Sequence, residues 1–106
     1  MKQDKVLAML GLAAKAGRVA SGEFSTEKAV KEKKAYLVIV AEDASSNTKK
    51  MFGNMTQFRK VPYYCYSNKE GLGHSIGKDY RASLAVTDEQ LAHLIEEKLK
   101  QSKTTE

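Results

Sequence analysis

Residues 36–43 read Tyr-Leu-Val-Ile-Val-Ala-Glu-Asp, an apolar run that ends in two carboxylates. A strand with one wet face alternates apolar and polar side chains, whereas a run without alternation indicates a strand covered on both faces. We therefore expect this strand at the centre of a sheet that lies between two layers of helices. Open α/β sheets commonly bind ligands beyond the carboxyl ends of their strands, so Glu42 and Asp43 are candidate site residues.

Helix and strand signals alternate on both sides of this run. Further strands are predicted over residues 18–21, 63–66 and 81–86. Helices are predicted from a cap at Asp4 to Gly17, over residues 24–34, from a cap at Ser45 or Ser46 to the region ended by Pro62, over residues 69–76, and after a cap at Asp88. Short connections indicate an α/β fold, a three-layer α/β/α sandwich around a four-stranded mixed sheet. We expect one domain over residues 1–101 and a flexible tail over residues 102–106.

Apolar side chains at helical spacing predict which faces two of the helices bury. In the third helix the predicted buried face consists of Met51, Phe52, Met55 and Phe58. In the last helix it consists of Leu91, Leu94, Ile95 and Leu99.

Length and cysteine usage limit the class of protein. A chain of 106 residues holds one core, and the single Cys65 excludes an intramolecular disulfide. No signal peptide is recognisable, and no apolar run reaches the roughly 20 residues that a membrane span requires. We expect a cytoplasmic protein with no membrane partner.

Positive charge is concentrated in the middle of the sequence. The net charge is +5, and residues 1–44, 45–81 and 82–106 contribute +2, +5 and −2. A concentrated positive region favours polyanions, so nucleic acid is the leading partner class, with an anionic membrane surface second. Extra lysines that only increase solubility would give the same total.

Residues that could support catalysis are isolated from one another. Cys65 lies inside a predicted strand, where a thiol is usually an inert small hydrophobe. His74 and His93 have no metal-ligand spacing to each other or to Cys65. The sequence therefore predicts no enzyme, no cofactor and no metal site, and a small enzyme that uses Cys65 or His74 is a distant alternative.

Two segments have the composition of a binding surface. Gly22 opens the second helix, where free amides, Ser25, Lys28 and Lys31 suit a phosphate or a guanine edge, although a solvated helix face would look the same. The loop over residues 77–81 supplies the cations Lys78 and Arg81 and the ring of Tyr80, which suits base stacking and equally a core position. An alternating α/β sheet can bring both segments and the loop after Asp43 to one edge.

Four stretches carry a resemblance to a known family. They are residues 15–22 (KAGRVASG), residues 28–30 with 35–45 (KAV, AYLVIVAEDAS), residues 61–63 (VPY) and residues 69–77 (KEGLGHSIG). With these stretches the chain resembles the kink-turn RNA-binding ribosomal proteins of the archaeal seven-Ae and eukaryotic thirty-e type, and most closely their bacterial YlxQ-like branch. The resemblance covers nearly the whole chain.

The resemblance implies an α/β/α sandwich that grips RNA where two sheared G·A pairs flank a sharp bend. In the family a glycine, an asparagine, a glutamate and a lysine at the start of helix two face these pairs. Gly22 and Lys28 match the glycine and the lysine, whereas Phe24 and Ser25 stand where the asparagine and the glutamate would be. A phenyl ring cannot replace the hydrogen bonds of an amide, and serine reaches less far than glutamate.

The sequence thus predicts a non-catalytic, cytoplasmic, bacterial RNA-binding protein whose partner is structured RNA, in particular ribosomal RNA, with the ribosome itself as a further candidate partner. The expected RNA-binding residues are Gly22, Phe24, Ser25, Lys28, Lys31, Glu42, Asp43, Lys78, Tyr80 and Arg81. The alternative is a protein-interaction module in which Phe24 and Tyr80 form an apolar surface and the lysines form its rim.

Overall fold

The structure is a computed structural model that describes residues 4–104, with side chains described for residues 4–102. Helices and strands alternate in this part of the chain. The helices are α1 (Lys5–Lys15), α2 (Glu23–Lys31), α3 (Ser46–Arg59), α4 (Lys69–Ser75) and α5 (Glu89–Thr104). The strands are β1 (Val19–Ser21), β2 (Leu37–Val40), β3 (Tyr63–Cys65) and β4 (Ser83–Val86).

The four strands form one mixed sheet in the order β1-β4-β2-β3. β2 pairs with β4 in antiparallel register, with Val38 opposite Ala85, and with β3 in parallel register, with Val38 opposite Tyr63. β1 is antiparallel to β4. The strands β1, β2 and β3 therefore run in one direction and β4 runs against them. As a result, the carboxyl ends of three strands and the amino end of β4 share one edge of the sheet.

Helices cover both faces of this sheet, as the unbroken apolar run predicts. Every residue of β2 and β4 is buried. The helices α2 and α3 contact each other and the sheet, whereas α1 contacts α4 and α5, and α5 packs against β2 and β4. Phe52 of α3, Leu10 of α1 and Ile95 of α5 are completely buried between these layers. The predicted three-layer α/β/α sandwich with a four-stranded mixed sheet is confirmed.

Element ends follow the capping residues. Asp4 and Asn68 accept hydrogen bonds from the backbone amides of Leu7 and Gly71, and Ser45 caps α3 through the amide of Thr48. The second helix is shorter than predicted, because α2 ends at Lys31 and Lys33 turns into the left-handed region at φ 62°. The last helix is longer than predicted and continues through Ser102 to Thr104, while the rest of the predicted tail, residues 105 and 106, lies outside the described residues.

Two side chains predicted to be buried are not. Phe58 is 82% exposed because it lies in the last turn of α3, next to Pro62, where the sheet that would cover it ends. Leu94 is 48% exposed, since it is rotated by about 100° around the helix from Ile95, which lies on the buried face with Leu99. The prediction was wrong at both positions.

Candidate functional site

The segments predicted to converge do lie at one edge of the sheet. We call this edge the carboxyl edge and define it as residues 21–25, 41–45, 66–69 and 78–82. The Gly22 amide donates to the Ser83 carbonyl at 2.9 Å, and the Ala41 amide donates to the Ala82 carbonyl at 2.9 Å. The Glu42 amide donates to the Ser67 carbonyl at 2.8 Å. The reversed direction of β4 explains this arrangement, because it brings the loop before β4 beside the exits of the other strands.

Arg81 links three of these segments through its own hydrogen bonds. Its Nε donates to Oγ of Ser21 at 3.1 Å, and its Nη1 donates to the Tyr80 carbonyl at 2.6 Å. Its backbone amide donates to the Lys69 carbonyl at 3.0 Å. Arginine has five N–H donors, so most of the guanidinium stays available to a ligand. Within residues 4–102 no carboxylate pairs with Arg81.

The start of α2 is held by backbone geometry and a buried hydroxyl pair. Gly22 adopts φ 92° and ψ 161°, a conformation that only glycine adopts readily, and makes no side-chain cap. The first-turn amides of α2 are therefore free of a capping side chain. Beneath them, Oγ of Ser83 donates to Oγ1 of Thr26 at 3.3 Å, and both residues are fully buried. This pair fixes α2 against the beginning of β4.

The exposed side of α2 presents four of the predicted residues. Phe24 is 78% exposed, and Ser25 and Lys28 are exposed as well. One shallow cavity of about 300 Å³ is lined by Phe24, Lys28 and Lys31 together with the carboxylates Glu27 and Glu32. Lys31 forms an ion pair with Glu27 at 2.8 Å, whereas Lys28 has no ion-pair partner within residues 4–102. The two lysines thus differ in how much charge they offer to a ligand.

The two carboxylates after β2 have different environments. Asp43 accepts a hydrogen bond from the Lys69 amide at 2.8 Å, which ties the loop after β2 to the first turn of α4. The side chain of Glu42 is exposed. Nearby, Tyr66 donates to Oδ2 of Asp4 at 2.9 Å, and burial raises the pKa of this phenol. Asp43 therefore has a positioning contact at the carboxyl edge.

The loop before β4 is pressed against α4. The Lys78 amide donates to the Gly73 carbonyl at 2.8 Å. A Cβ atom on Gly73 would lie 2.6 Å from the Asp79 carbonyl oxygen and 2.8 Å from the Tyr80 nitrogen, so only glycine permits this approach. Tyr80 is 64% exposed, which rules out the core position that its sequence also allowed. Its ring and the exposed Lys78 are accessible on the surface.

The carboxyl edge carries charges of both signs. Its segments contain the cations Lys69, Lys78 and Arg81 and the carboxylates Glu23, Glu42, Asp43 and Asp79. Most of the positive charge in the middle of the sequence lies instead on α3 and its C-cap, at Lys49, Lys50, Arg59 and Lys60. The carboxyl edge therefore offers directional donors and exposed rings more than a dense positive field.

Sequence reasoning missed the three hydroxyl residues Ser21, Thr26 and Ser83. They anchor Arg81 and α2, yet their partners lie 60 and 57 positions away in the sequence. No local motif marks such a contact, because small hydroxyl residues occur throughout turns and strands.

The residues considered for catalysis are dispersed in the structure. Sγ of Cys65 lies 3.5 Å from the Tyr63 hydroxyl on an edge strand, and His74 is exposed on α4. Burial, followed by the contact with Cys65, raises the pKa of Tyr63. Within the described residues, no three His, Cys, Asp or Glu side chains are grouped so that they could hold a metal ion. No described helix is long and apolar enough to cross a membrane.

Comparison with protein families identifies the family of this chain. Residues 4–96 match the model of the Ribosomal protein L7Ae/L30e/S12e/Gadd45 family. The chain belongs to this family. Within the family, it is 44% identical over 85 residues to the RNA-binding protein YlxQ of Bacillus subtilis (strain 168), a match that covers 80% of this chain and 85% of that protein. It is 34% identical over 76 residues to the RNA-binding protein YlxQ of Enterococcus faecium, covering 72% and 74% of the two chains.

Solved structures share the fold of this family member. A protein of unknown function from Bacillus halodurans C superposes with a TM-score of 0.90 at 32% identity, covering 92% of this chain and 99% of that one. The Giardia lamblia 15.5kD RNA binding protein superposes with a TM-score of 0.79 at 19% identity, covering 97% and 92%. At 19% identity, the similarity to the Giardia lamblia protein shows a shared fold and nothing further.

Proposed function

We propose that this protein is a non-catalytic RNA-binding protein of the ribosomal-protein type that holds structured RNA at the carboxyl edge. The observation that carries the proposal is the convergence of Arg81, the first turn of α2 and the loop before β4 at one edge, in a member of this family. The names of the two YlxQ relatives support RNA as the ligand class. We further propose a cytoplasmic location and ribosomal RNA as the source of the ligand.

The residues at the carboxyl edge, and Lys28 one turn further along α2, have complementary roles in this proposal. Arg81 and the amides after Gly22 donate to phosphates or guanine edges, and Lys28 and Lys78, which form no ion pair within residues 4–102, add positive charge. Phe24 and Tyr80 are exposed rings on which an unstacked base can lie. Ser25 offers a short polar contact beside Phe24. Asp43 acts indirectly, because its hydrogen bond to Lys69 holds the loop after β2 in place.

The choice of RNA tests the proposal directly. The affinity should be measured for a kink-turn RNA, for the same RNA with its sheared G·A pairs disrupted, and for a plain duplex. We expect the kink-turn RNA to bind most tightly, since the bend places backbone and unstacked bases within reach of the same edge. Equal affinity for all three RNAs would contradict recognition of shape and leave only general electrostatic attraction.

The residue assignment is tested with matched charge variants. Lys28→Gln combined with Arg81→Gln should weaken binding and reduce the slope of log affinity against log salt by roughly 0.7 to 0.9 for each phosphate that is no longer neutralised. Lys31→Gln on the same helix should weaken binding less than Lys28→Gln does, because Lys31 is already paired with Glu27. An unchanged slope in the double variant, with the fold intact by circular dichroism, would exclude both residues from the interface.

A further inference from the structure

The end of the sheet opposite the carboxyl edge contains a second open cavity. We call this end the amino edge, since β2 and β3 begin there. The cavity has a volume of about 590 Å³ and lies between the ends of α2 and α3. The residues that define its chemistry are Lys33, Tyr36, Phe58, Arg59, Lys60 and Pro62. No acidic residue is among those described as lining it.

Two aromatic rings at this cavity face solvent. Phe58 is 82% exposed and Tyr36 is 41% exposed. The guanidinium carbon of Arg59 lies 5.7 Å from the centre of the Phe58 ring. This distance fits a cation–π contact, in which the guanidinium lies over one face of the ring and leaves the other face open to solvent. Because burial contributes little at Phe58, the packing of the fold does not explain a phenyl group at this position.

Two lysines at the cavity occupy positions that favour glycine. Lys33 follows the end of α2 with φ 62°, and Lys60 caps α3 with φ 61°. The left-handed conformation after a helix is usually adopted by glycine, because a side chain there is strained. The fold would therefore be served better by glycine at both positions. What the two lysines add is a pair of positive charges at the mouth of one cavity.

Attraction to the helix ends accounts for only part of this pattern. Cations near a helix C-terminus interact favourably with its carbonyl groups. At the end of α3, however, backbone amides already satisfy two of these carbonyl groups, since Lys60 donates to Gln57 and Val61 donates to Thr56. The amide of Lys33 likewise donates to Val30 at the end of α2. Helix electrostatics also does not explain the exposed rings.

We propose that the cavity at the amino edge is a second RNA site, which binds unpaired nucleotides of single-stranded RNA. Bases stack on Phe58 and Tyr36, and Lys33, Arg59 and Lys60 contact the phosphates. None of the three cations is paired with a carboxylate within residues 4–102. The combination of open rings and unpaired cations favours nucleic acid over an acidic peptide, which would use the charges but not the stacking surfaces.

The direct test measures binding of a short, fluorescein-labelled oligouridylate by anisotropy. Phe58→Ala should reduce the affinity at least about fivefold, because stacking on one aromatic ring contributes that much or more per base. Lys33→Gly and Lys60→Gly should each weaken binding and reduce the salt slope by roughly 0.7 for each phosphate that is no longer neutralised, with no loss of thermal stability. Unchanged affinity in all three variants would overturn the proposal.

Two further experiments distinguish base stacking from charge attraction and distinguish the cavity at the amino edge from the carboxyl edge. An abasic ribose-phosphate oligomer and an oligoglutamate peptide should compete poorly with oligouridylate, and equal competition by either would overturn the stacking model. Lys28→Gln with Arg81→Gln should leave oligouridylate binding unchanged while weakening the kink-turn RNA. If those two changes weaken both probes equally, one site at the carboxyl edge binds both, and the amino edge is not a site. If the protein binds the kink-turn RNA no more tightly than the control RNAs while Phe58→Ala still weakens oligouridylate binding, only the proposed function fails.

Discussion

Substitution of Gly73 tests whether α4 sets the position of the loop before β4. In Gly73→Ala, the new methyl group would lie 2.6 Å from the Asp79 carbonyl oxygen and 2.8 Å from the Tyr80 nitrogen. An ordinary contact begins at 3.4 Å, so the peptide between Asp79 and Tyr80 must move by about 0.8 Å. These are backbone atoms held by the Lys78 amide and the strand that follows, and they cannot rotate away as a side chain would.

The magnitude follows from two opposing effects. Replacing a helical glycine by alanine gains up to about 1 kcal/mol of helix propensity. Overpacking costs about 1–3 kcal/mol, and contacts of 2.6 and 2.8 Å to backbone atoms place Gly73→Ala in the upper part of that range, about 2–3 kcal/mol. We therefore expect Gly73→Ala to lower the free energy of unfolding by about 1–2 kcal/mol, which corresponds to a melting temperature lower by roughly 4–12 °C. Urea unfolding followed by circular dichroism measures this change.

The same variant should also bind RNA more weakly. A native domain is stable by about 5–15 kcal/mol, so a destabilisation of 1–2 kcal/mol leaves the protein folded during the assay. Weaker binding would then report the moved loop, and a shift that breaks one charge-assisted contact of Arg81 weakens binding about tenfold.

Gly53→Ala is the matched control for this substitution. Its new methyl group would lie 3.8 Å from the nearest atom of the Tyr63 ring, an ordinary contact, in the helical backbone of α3. We expect this variant to be more stable by up to about 1 kcal/mol and to bind RNA normally. If Gly73→Ala proved as stable as Gly53→Ala and bound RNA equally well, α4 would not determine the loop position and the reasoning would be refuted.

Three further changes test other contacts. Thr26→Val should destabilise the fold by about 1–3 kcal/mol because it leaves the buried Ser83 hydroxyl without its partner. Thr26→Val combined with Ser83→Ala should be nearly neutral, since neither hydroxyl then remains. Additive losses in this double-mutant cycle would argue against the hydrogen bond. Burial, followed by the hydrogen bond to Glu96, raises the pKa of Tyr64 to about 12 from an ordinary 10.0. The unfolded chain therefore releases this proton first, stability should fall as the pH rises from 10 to 12, and urea unfolding across that range should show a smaller fall in Tyr64→Phe. Gly22→Ala should lower the free energy of unfolding by roughly 1–3 kcal/mol, because alanine is strained at φ 92° even though nothing lies within 4 Å of its methyl group. Thermal melting measures this loss. A wild-type melting temperature would refute the requirement for glycine at this position.

The fold was predictable from the sequence because its strongest signals are local. The unbroken apolar run that became β2, the caps at Asp4 and Ser45, and the glycines that end α1 and α4 each act over a few residues. The exposed positions of Phe58 and Leu94 were not predictable in this way. Periodicity assigns side chains to a face of a helix, but elements distant in the sequence decide how far around Leu94 the covering layer extends and where the sheet ends beside Phe58.

The candidate site was predictable in part for the same reason. Its segments follow from strand order, since loops at strand ends meet at sheet edges. Its hydrogen bonds do not, because Arg81 bonds to Ser21 across 60 positions and Asp43 bonds to Lys69 across 26. The distribution of charge in three dimensions was not predictable either, since the basic side chains of residues 45–81 are divided between the carboxyl edge and α3.

The two proposed sites differ in chemistry, and the length of β2 sets their separation. Six residues lead from Tyr36 at the amino edge to Glu42 at the carboxyl edge, which is about 20 Å at 3.3 Å per residue. With phosphates about 3.4 Å apart along a stacked strand, an RNA that passes around the surface must continue for at least about six nucleotides beyond the carboxyl edge to reach Phe58. Shorter probes engage one edge at a time, so a substitution at one edge should leave the affinity of a short probe bound at the other edge unchanged. A longer RNA tethers its free end near the second site and should bind more tightly than either part alone. That gain should disappear in Phe58→Ala, because this change removes the stacking surface at the far edge and leaves Arg81 in place.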